Sequence, residues 1–169
     1  EVDKCYYAVV KVTDRKGMEN VQKELGSRTV ITLENYLLKD SRTNMSRVVP
    51  EGTDGAKKAV LEYQVLGVEA GEELALLRVK LHTGRHHQIR VQLSEAGMPI
   101  LNDTKYGTTP DEENIKDTLR AVRDEALALC SYRLVFSHPV TRKKLTFEVI
   151  PKGKSFALFS EDFGKKDNI

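Results

Sequence analysis

Alternation of apolar and polar residues predicts β-strands at the start, in the middle and near the end of the chain. Tyr6, Ala8 and Val10 would share one face of the first strand, with Tyr7 and Val9 on the other, and aromatic and β-branched residues favour this conformation. Because nothing precedes this strand to pair with it, we expect a domain cut at its start. The same pattern predicts further strands over residues 45–49, 59–66, 74–82, 129–136 and 145–150, the last two joined by a turn at 138–141.

The strand 74–82 has two different faces. Leu77, Val79 and Leu81 lie on one side, and the alternate positions are basic: Arg78, Lys80 and His82. We therefore expect one side to be buried and the basic side to face solvent or a ligand.

After this strand the apolar period changes from two to about 3.6. Ile89, Leu93 and Ala96 are spaced as on one helix face, and Gly97 follows where a C-terminal cap belongs, which predicts a helix over about 86–96. Thr83-Gly84 would make the tight connection. Unpaired backbone N–H groups at the helix start, beside Arg85, His86 and His87, could then bind an anion, although a solvated basic helix start is the simpler alternative.

Four segments are less well defined. Residues 14–26 favour a loop with at most a short helical turn, and residues 28–38 mix strand and helix features without a clear assignment. A loop over 98–107 carries Asp103, Lys105 and Tyr106, and the range 112–128 favours an exposed helix.

Composition fits one soluble domain with a sizeable core: 169 residues, of which 40% are hydrophobic and 31% charged. We expect a cytoplasmic protein, because no apolar run approaches a membrane helix, no signal peptide opens the chain, and two cysteines are too few for a disulfide framework. The net charge of +2 gives no global attraction to nucleic acid. A local cluster near the C-terminus would nevertheless suit a phosphate backbone, or merely a solvated edge: Arg142, Lys143, Lys144, Lys152 and Lys154.

Common catalytic and metal motifs are missing from the sequence. It has no Walker-type loop, dinucleotide glycine pattern or nucleophile elbow. His86 and His87 would point about 100° apart on a helix, which is poor geometry for two ligands of one metal ion. We therefore expect neither a metal nor a cofactor.

The central motifs resemble those of the RluA-type pseudouridine synthases. That family carries Thr-Gly-Arg-x-His-Gln-Ile-Arg-x-His, then Gly-x-Pro-Ile/Leu and Gly-Asp-x-x-Tyr-Gly, which match residues 81–93, 97–100 and 103–107 here. Residues 4–10, 56–66 and 129–139 agree in the same order, so the resemblance covers essentially the whole chain. Gln92 replaces the usual His and Asn102 the usual Gly. More seriously, the family's His-Arg-Leu-Asp segment, which carries the catalytic aspartate, does not occur in these residues.

The resemblance implies isomerisation of a uridine in RNA to pseudouridine. Arg90 matches the arginine that pairs with the catalytic aspartate, and Tyr6 matches the tyrosine that stacks on the flipped base. It implies that Leu129 closes the pocket. Arg85 and Gln88 would build its wall, and we place His86 and Lys105 with them as RNA-binding residues. Because the aspartate is missing, we expect Arg90 without its partner, an apolar sheet edge or cleft beside Tyr6 and Arg90, and no activity from the 169 residues alone.

We therefore predict an α+β fold with a mixed, largely antiparallel sheet and a few helices, residues 1–169 forming the C-terminal part of a pseudouridine synthase catalytic domain. The expected partners are ribosomal or transfer RNA and the missing N-terminal segment, with no membrane. Two alternatives stay open: a noncatalytic RNA-binding fragment or degenerate paralogue, and a small-anion or nucleotide-binding protein that uses the helix start after Gly84.

Overall fold

A computed structural model of the protein describes residues 2–107, 121–122 and 126–164. Its centre is one seven-stranded sheet with the strand order β3-β2-β4-β5-β1-β6-β7, and every pairing between these neighbours is antiparallel. The α+β prediction is confirmed. The strands are β1 (Val2–Lys11), β2 (Val30–Asp40), β3 (Met45–Val49), β4 (Lys57–Glu69), β5 (Leu74–Leu81), β6 (Leu129–Ser137) and β7 (Lys144–Glu148). The described helices are α1 (Arg15–Ser27), α2 (Gln88–Glu95) and α3 (Lys154–Ala157), with a 3-10 turn at Ala70–Glu72.

Helix α1 corrects the prediction of a loop over residues 14–26. Asp14 caps the helix by accepting the backbone N–H of Gly17 at 2.7 Å, and Met18 and Val21 are buried against the sheet. The sequence pattern was weak because few apolar residues mark the buried face of α1, so tertiary packing supplies most of the stabilisation.

Strand β2 resolves the unassigned segment 28–38. It pairs with β4 from Val30 to Leu37 and with β3 from Tyr36 to Asp40. Its side chains are mostly half-buried, which explains why alternation along the segment was poor. The predicted exposed helix over 112–128 falls mainly outside the described residues.

The basic face expected for β5 is wrong at Arg78. This arginine is only 1% exposed and donates from Nη1 to Gln64 Oε1 at 3.4 Å. Residues of α1 and α2 belong to the same core as the central strands, as do Phe156 and Phe159 beyond β7, and β5 is buried on both faces over most of its length.

One part of the sheet remains open on the face that carries Tyr6. Alternation along β1 places Val2 and Lys4 on this face. Their cross-strand neighbours continue the face onto β6 and β7: Phe136 and then Leu145 lie beside Val2, and Leu134 and then Phe147 lie beside Lys4. Val2 and Phe147 are 50% and 56% exposed. We call this surface the open apolar face: Val2, Leu134, Phe136, Leu145 and Phe147. The open apolar face shares the side of the sheet that carries Tyr6, but the prediction placed an apolar edge or cleft next to both Tyr6 and Arg90, and no described contact joins this face to Arg90.

Candidate active site

The matched motif begins with a tightly bonded turn between β5 and α2. The Thr83 hydroxyl accepts the N–H of Val60 at 2.9 Å and donates to Gln88 Oε1 at 2.9 Å. Gln88 Oε1 also accepts the N–H of Arg85 at 2.9 Å, and its Nε2 donates to the carbonyl of Val60 at 3.1 Å. The side-chain amide of Gln88 therefore bonds to three groups: the Thr83 hydroxyl, the Arg85 N–H and the Val60 carbonyl. We call residues 83–88 the motif turn.

Gln88 is an internal brace rather than an exposed wall of a pocket. It is 3% exposed, and both ends of its amide are hydrogen-bonded inside the protein. Arg85 is exposed, and its Nε donates to the carbonyl of Lys58 at 2.8 Å. Because the N–H of Arg85 bonds to Gln88 and the N–H of Gln88 to the Arg85 carbonyl, the predicted set of unpaired donors at the helix start is partly wrong.

The two histidines do not diverge as expected from a helix. Helix α2 begins at Gln88, and His87 precedes it as the N-cap residue with φ 53°, in the left-handed region. This backbone change brings the His86 and His87 rings into a stack with centroids 3.8 Å apart. Burial lowers the pKa of both histidines, and the neighbouring Arg90 and Lys105 lower it further. Within the described ranges, no three metal-ligating side chains cluster together.

Arg90 has a partner, contrary to the expectation. Its Nε and Nη2 donate to the two carboxylate oxygens of Asp103 at 2.7 and 2.6 Å. The Asp103 side chain is fully buried and also accepts the backbone N–H groups of Lys105 and Tyr106. Burial raises the pKa of Asp103, but the hydrogen bonds from Arg90 and from the two N–H groups outweigh it, so this pKa lies below its ordinary value.

The ion pair fixes the loop after α2 to the helix. Arg90 also lies over the ring of Tyr106, with its guanidinium carbon 5.1 Å from the ring centroid. Within the loop, the Gly107 N–H bonds to the Asp103 carbonyl at 2.8 Å, and Ser94 Oγ bonds to the Tyr106 carbonyl at 2.7 Å. The two separated motifs at 81–93 and 103–107 are therefore one folded unit.

Tyr6 lies on β1 and Leu129 on β6, and Leu101 of the loop that leads to Asp103 bonds to Val9 of β1 and to Ala128. Tyr6 pairs with Val79 of β5 and Ser131 of β6, and a bulge in β6 falls beside it. Both Tyr6 and Leu129 are half-buried and pack against the core to which Ile89 of α2 belongs. Among the described contacts, none joins Tyr6 directly to Arg90.

Two site residues come from the β2–β3 hairpin and were missed by sequence reasoning. Ser46 Oγ is 2.9 Å from His86 Nδ1, and Asn44 Oδ1 is 3.1 Å from His86 Nε2. Lys105 Nζ donates to the Asn44 carbonyl at 3.2 Å. Nothing in the local pattern at 40–46 indicates these contacts, because they join residues about 40 to 60 positions apart.

The C-terminal basic cluster is only partly organised. Lys144 begins β7, and the preceding turn is held by His138, whose Nδ1 accepts the N–H groups of Val140 and Thr141 at 3.2 and 3.1 Å. Lys154 Nζ donates to the carbonyl of Ala121. These contacts place the turn at the end of the β6–β7 hairpin.

Comparison with known proteins identifies the class to which this fold and site belong. The family model of RNA pseudouridylate synthases matches residues 1–95, more than half of the chain. The chain therefore belongs to the RNA pseudouridylate synthase family.

Individual relatives agree with this assignment. A protein of Aquifex aeolicus named "uncharacterized RNA pseudouridine synthase" is 39% identical over 93 residues, which cover 55% of this chain and 29% of the relative. Ribosomal large subunit pseudouridine synthase D of Vibrio cholerae is 39% identical over 109 residues, covering 63% and 32%. Human RNA pseudouridylate synthase domain containing 4 shares the fold, with a TM-score of 0.65 at 20% identity over 92% of this chain and 61% of that one.

Coverage of these relatives is partial. The chain spans 29% of the length of the Aquifex aeolicus relative and 32% of that of the Vibrio cholerae relative. None of the helices in the described part of the chain has the length and apolar composition needed to cross a membrane.

Proposed function

We propose that these residues form the C-terminal part of a pseudouridine synthase catalytic domain that isomerises uridine to pseudouridine in RNA. The observation that carries the proposal is the single hydrogen-bonded unit made by the motif turn, α2 and the loop to Gly107, next to the strand that holds Tyr6. A rigid unit of this kind suits an enzyme that must hold a flipped nucleotide in fixed geometry. The reaction needs no metal or cofactor.

Each predicted site residue keeps a role in this proposal. Tyr6 would stack against the uracil ring, and Leu129 would close the pocket beside it. Arg85, His86 and Lys105 would contact RNA, while Gln88 would act by bracing the motif turn. Arg90 remains a candidate for pairing with the catalytic carboxylate, through its Nη1 group, because Nε and Nη2 bond to Asp103.

The catalytic carboxylate would come from outside these 169 residues. The family's His-Arg-Leu-Asp segment does not occur in the sequence, and Asp103 is fully buried and engaged with Arg90. The open apolar face extends from Val2 of β1 across β6 and β7, and exposed Val2 and Phe147 there would gain burial if a segment packed on them. We propose that this face receives the N-terminal segment that carries the aspartate.

The RNA substrate is proposed to be ribosomal. Support comes from relatives named ribosomal large subunit pseudouridine synthase D, and a transfer RNA is the second possibility. We also propose a cytoplasmic location, because ribosomal and transfer RNA are present there.

The test compares the 169-residue chain with a longer polypeptide that adds the His-Arg-Leu-Asp segment. Tritium release from uridine-labelled RNA is expected only from the longer protein. In that protein, Arg90→Lys should lower turnover much more than RNA affinity, because a Lys ammonium cannot replace the Nε and Nη2 bonds to Asp103 and also present a separate N–H group to the catalytic carboxylate. Activity from the short chain, with its mass confirmed as 19.1 kDa, would contradict the proposal.

A noncatalytic RNA-binding protein is the second candidate, favoured by the missing aspartate. Binding by either candidate should weaken linearly with salt in a log–log plot, and replacing Lys143 and Lys144 by Ala should reduce the slope by up to about two. An unchanged slope would make the C-terminal cluster a solvated edge. An inactive longer polypeptide that still binds RNA would favour the noncatalytic candidate.

A further inference from the structure

A set of side chains joins the β2–β3 hairpin to the motif turn and to the loop after α2. His86 bonds through both ring nitrogens to hairpin residues, Ser46 and Asn44, at 2.9 and 3.1 Å. Lys105 reaches the same hairpin at the Asn44 carbonyl, 3.2 Å away. We call this set the hairpin latch, and its members are Asn44, Ser46, His86, His87, Lys105 and Tyr106.

The Tyr106 hydroxyl is the centre of the hairpin latch. It accepts the backbone N–H of Ser46 at 2.7 Å and lies 2.9 Å from His87 Nδ1. A phenol carries one proton, and within the described contacts His87 Nδ1 is the acceptor available to it. When Tyr106 donates this proton to His87 Nδ1, His87 is a neutral imidazole with its proton on Nε2.

The charges around the histidines favour this neutral state. Arg90 of α2 and Lys105 of the loop act on both rings, and Lys39 of β2 acts on His86, while Asp103 is the opposing charge near His87. Protonation of His87 would remove the hydrogen bond donated by Tyr106 and add a cation to a cationic group. The charges thus favour the neutral ring that a hydrogen bond donated by Tyr106 requires.

We propose that Tyr106 is a positioning residue that docks the β2–β3 hairpin against the motif turn by fixing the His87 tautomer. Docking keeps Arg85, which projects from the motif turn, at a constant distance from the hairpin and its basic residues, Lys39, Arg42 and Arg47. A preformed surface loses less entropy on binding, so docking of the hairpin should strengthen RNA binding, and this consequence rests on the proposed function. The docking itself does not depend on that function.

The first experiment follows the four histidine rings of the 169-residue chain by NMR as pH is varied. In Tyr106→Phe, the pKa of His87 should rise, because its neutral form loses the donated hydrogen bond. The Ser46 amide should exchange with solvent at least about fivefold faster, as expected for loss of one hydrogen bond. Tyr36→Phe is the matched control, since Tyr36 also bonds a side chain, that of Glu51, but lies outside the hairpin latch.

A second variant separates the hydrogen bond from general packing. Asn tolerates the left-handed backbone at position 87, and its Oδ1 can accept where Nδ1 does, so His87→Asn should keep the Ser46 amide protected. His87→Ala should lose that protection. Loss in both variants, or an unchanged His87 pKa in Tyr106→Phe, would overturn the positioning role.

RNA binding gives the readout that links Tyr106 to function. Tyr106→Phe should weaken RNA binding about fivefold with the same salt slope, because no phosphate contact is removed. RNA affinity is measured in the longer polypeptide that adds the His-Arg-Leu-Asp segment; if that protein binds no RNA, the proposed function fails, while the NMR results on the 169-residue chain still decide the docking. If His87 responds as expected but RNA affinity does not change, the link to binding is refuted.

Discussion

Asp103→Asn is expected to destabilise the protein more than any other single-atom exchange in the site. The Asp103 carboxylate accepts two hydrogen bonds from Arg90 and two from backbone N–H groups, and its side chain has no exposed surface. An Asn amide removes the charge and replaces one acceptor with a donor, which must face another donor. The 17% exposed Arg90 would then lie half-buried without its counter-charge.

The size of the effect follows from these contacts. Breaking a buried ion pair by removing one charge costs roughly 3–5 kcal/mol. We take about 3 kcal/mol because Arg90 keeps some contact with water. For a chain of this length, the melting temperature should fall by about 6–12 °C. Glu148→Gln is the matched control, since it breaks the Arg133–Glu148 pair, whose side chains are 31% and 62% exposed, and should cost about 1 kcal/mol or less.

The pH dependence gives a second measurement of the same pair. The pKa of Asp103 is lower in the folded protein than in the unfolded chain, so its stabilisation is complete above the ordinary aspartate pKa and is lost as pH falls through the lowered value. Urea unfolding should therefore show a difference between wild type and Asp103→Asn that is constant near neutral pH and shrinks in acid. A loss below about 1 kcal/mol at neutral pH, or a loss equal to that of Glu148→Gln, would refute the reasoning.

Three further changes probe the site's surroundings. Gln92→Leu should cost about 1–2 kcal/mol in urea unfolding, because the buried Gln92 amide donates to Asn35 Oδ1 at 2.8 Å; an unchanged midpoint would contradict this. Burial raises the pKa of Glu24 more than its hydrogen bond with Tyr63 lowers it, so the ionised Glu24 destabilises the folded protein at neutral pH. Glu24→Gln should therefore raise the melting temperature at neutral pH and lose this advantage in acid. A lower melting temperature of the variant at neutral pH would contradict this prediction. Gly107→Ala would place a Cβ 2.3 Å from the Asp103 carbonyl oxygen and should lower the free energy of unfolding by about 1–3 kcal/mol. An unchanged melting temperature in circular dichroism would contradict this.

The strands and the family could be predicted from sequence because both depend on short-range patterns. Alternation located β1, β3, β4, β5, β6 and β7 near their observed bounds, since residues two apart share a strand face whatever the rest of the chain does. The motif from residue 81 to residue 107 is long and ordered enough to indicate the family, which the family model confirms over residues 1–95. The sequence pattern did not predict helix α1, because the buried face of this helix is narrow. It did not assign β2, because the two faces of this strand are similarly exposed.

The partners of the site residues depended on contacts that only the folded chain makes. Arg90 and Asp103 lie 13 positions apart in the sequence. They form an ion pair because the loop after α2 folds back on the helix. His86 and Ser46 lie 40 positions apart and meet because β3 lies beside α2. Sequence alone determined which chemical groups are present and which local conformations they favour. The tertiary structure decided which donor meets which acceptor, because a hydrogen bond requires its atoms within about 3 Å, and chain separation does not encode that distance.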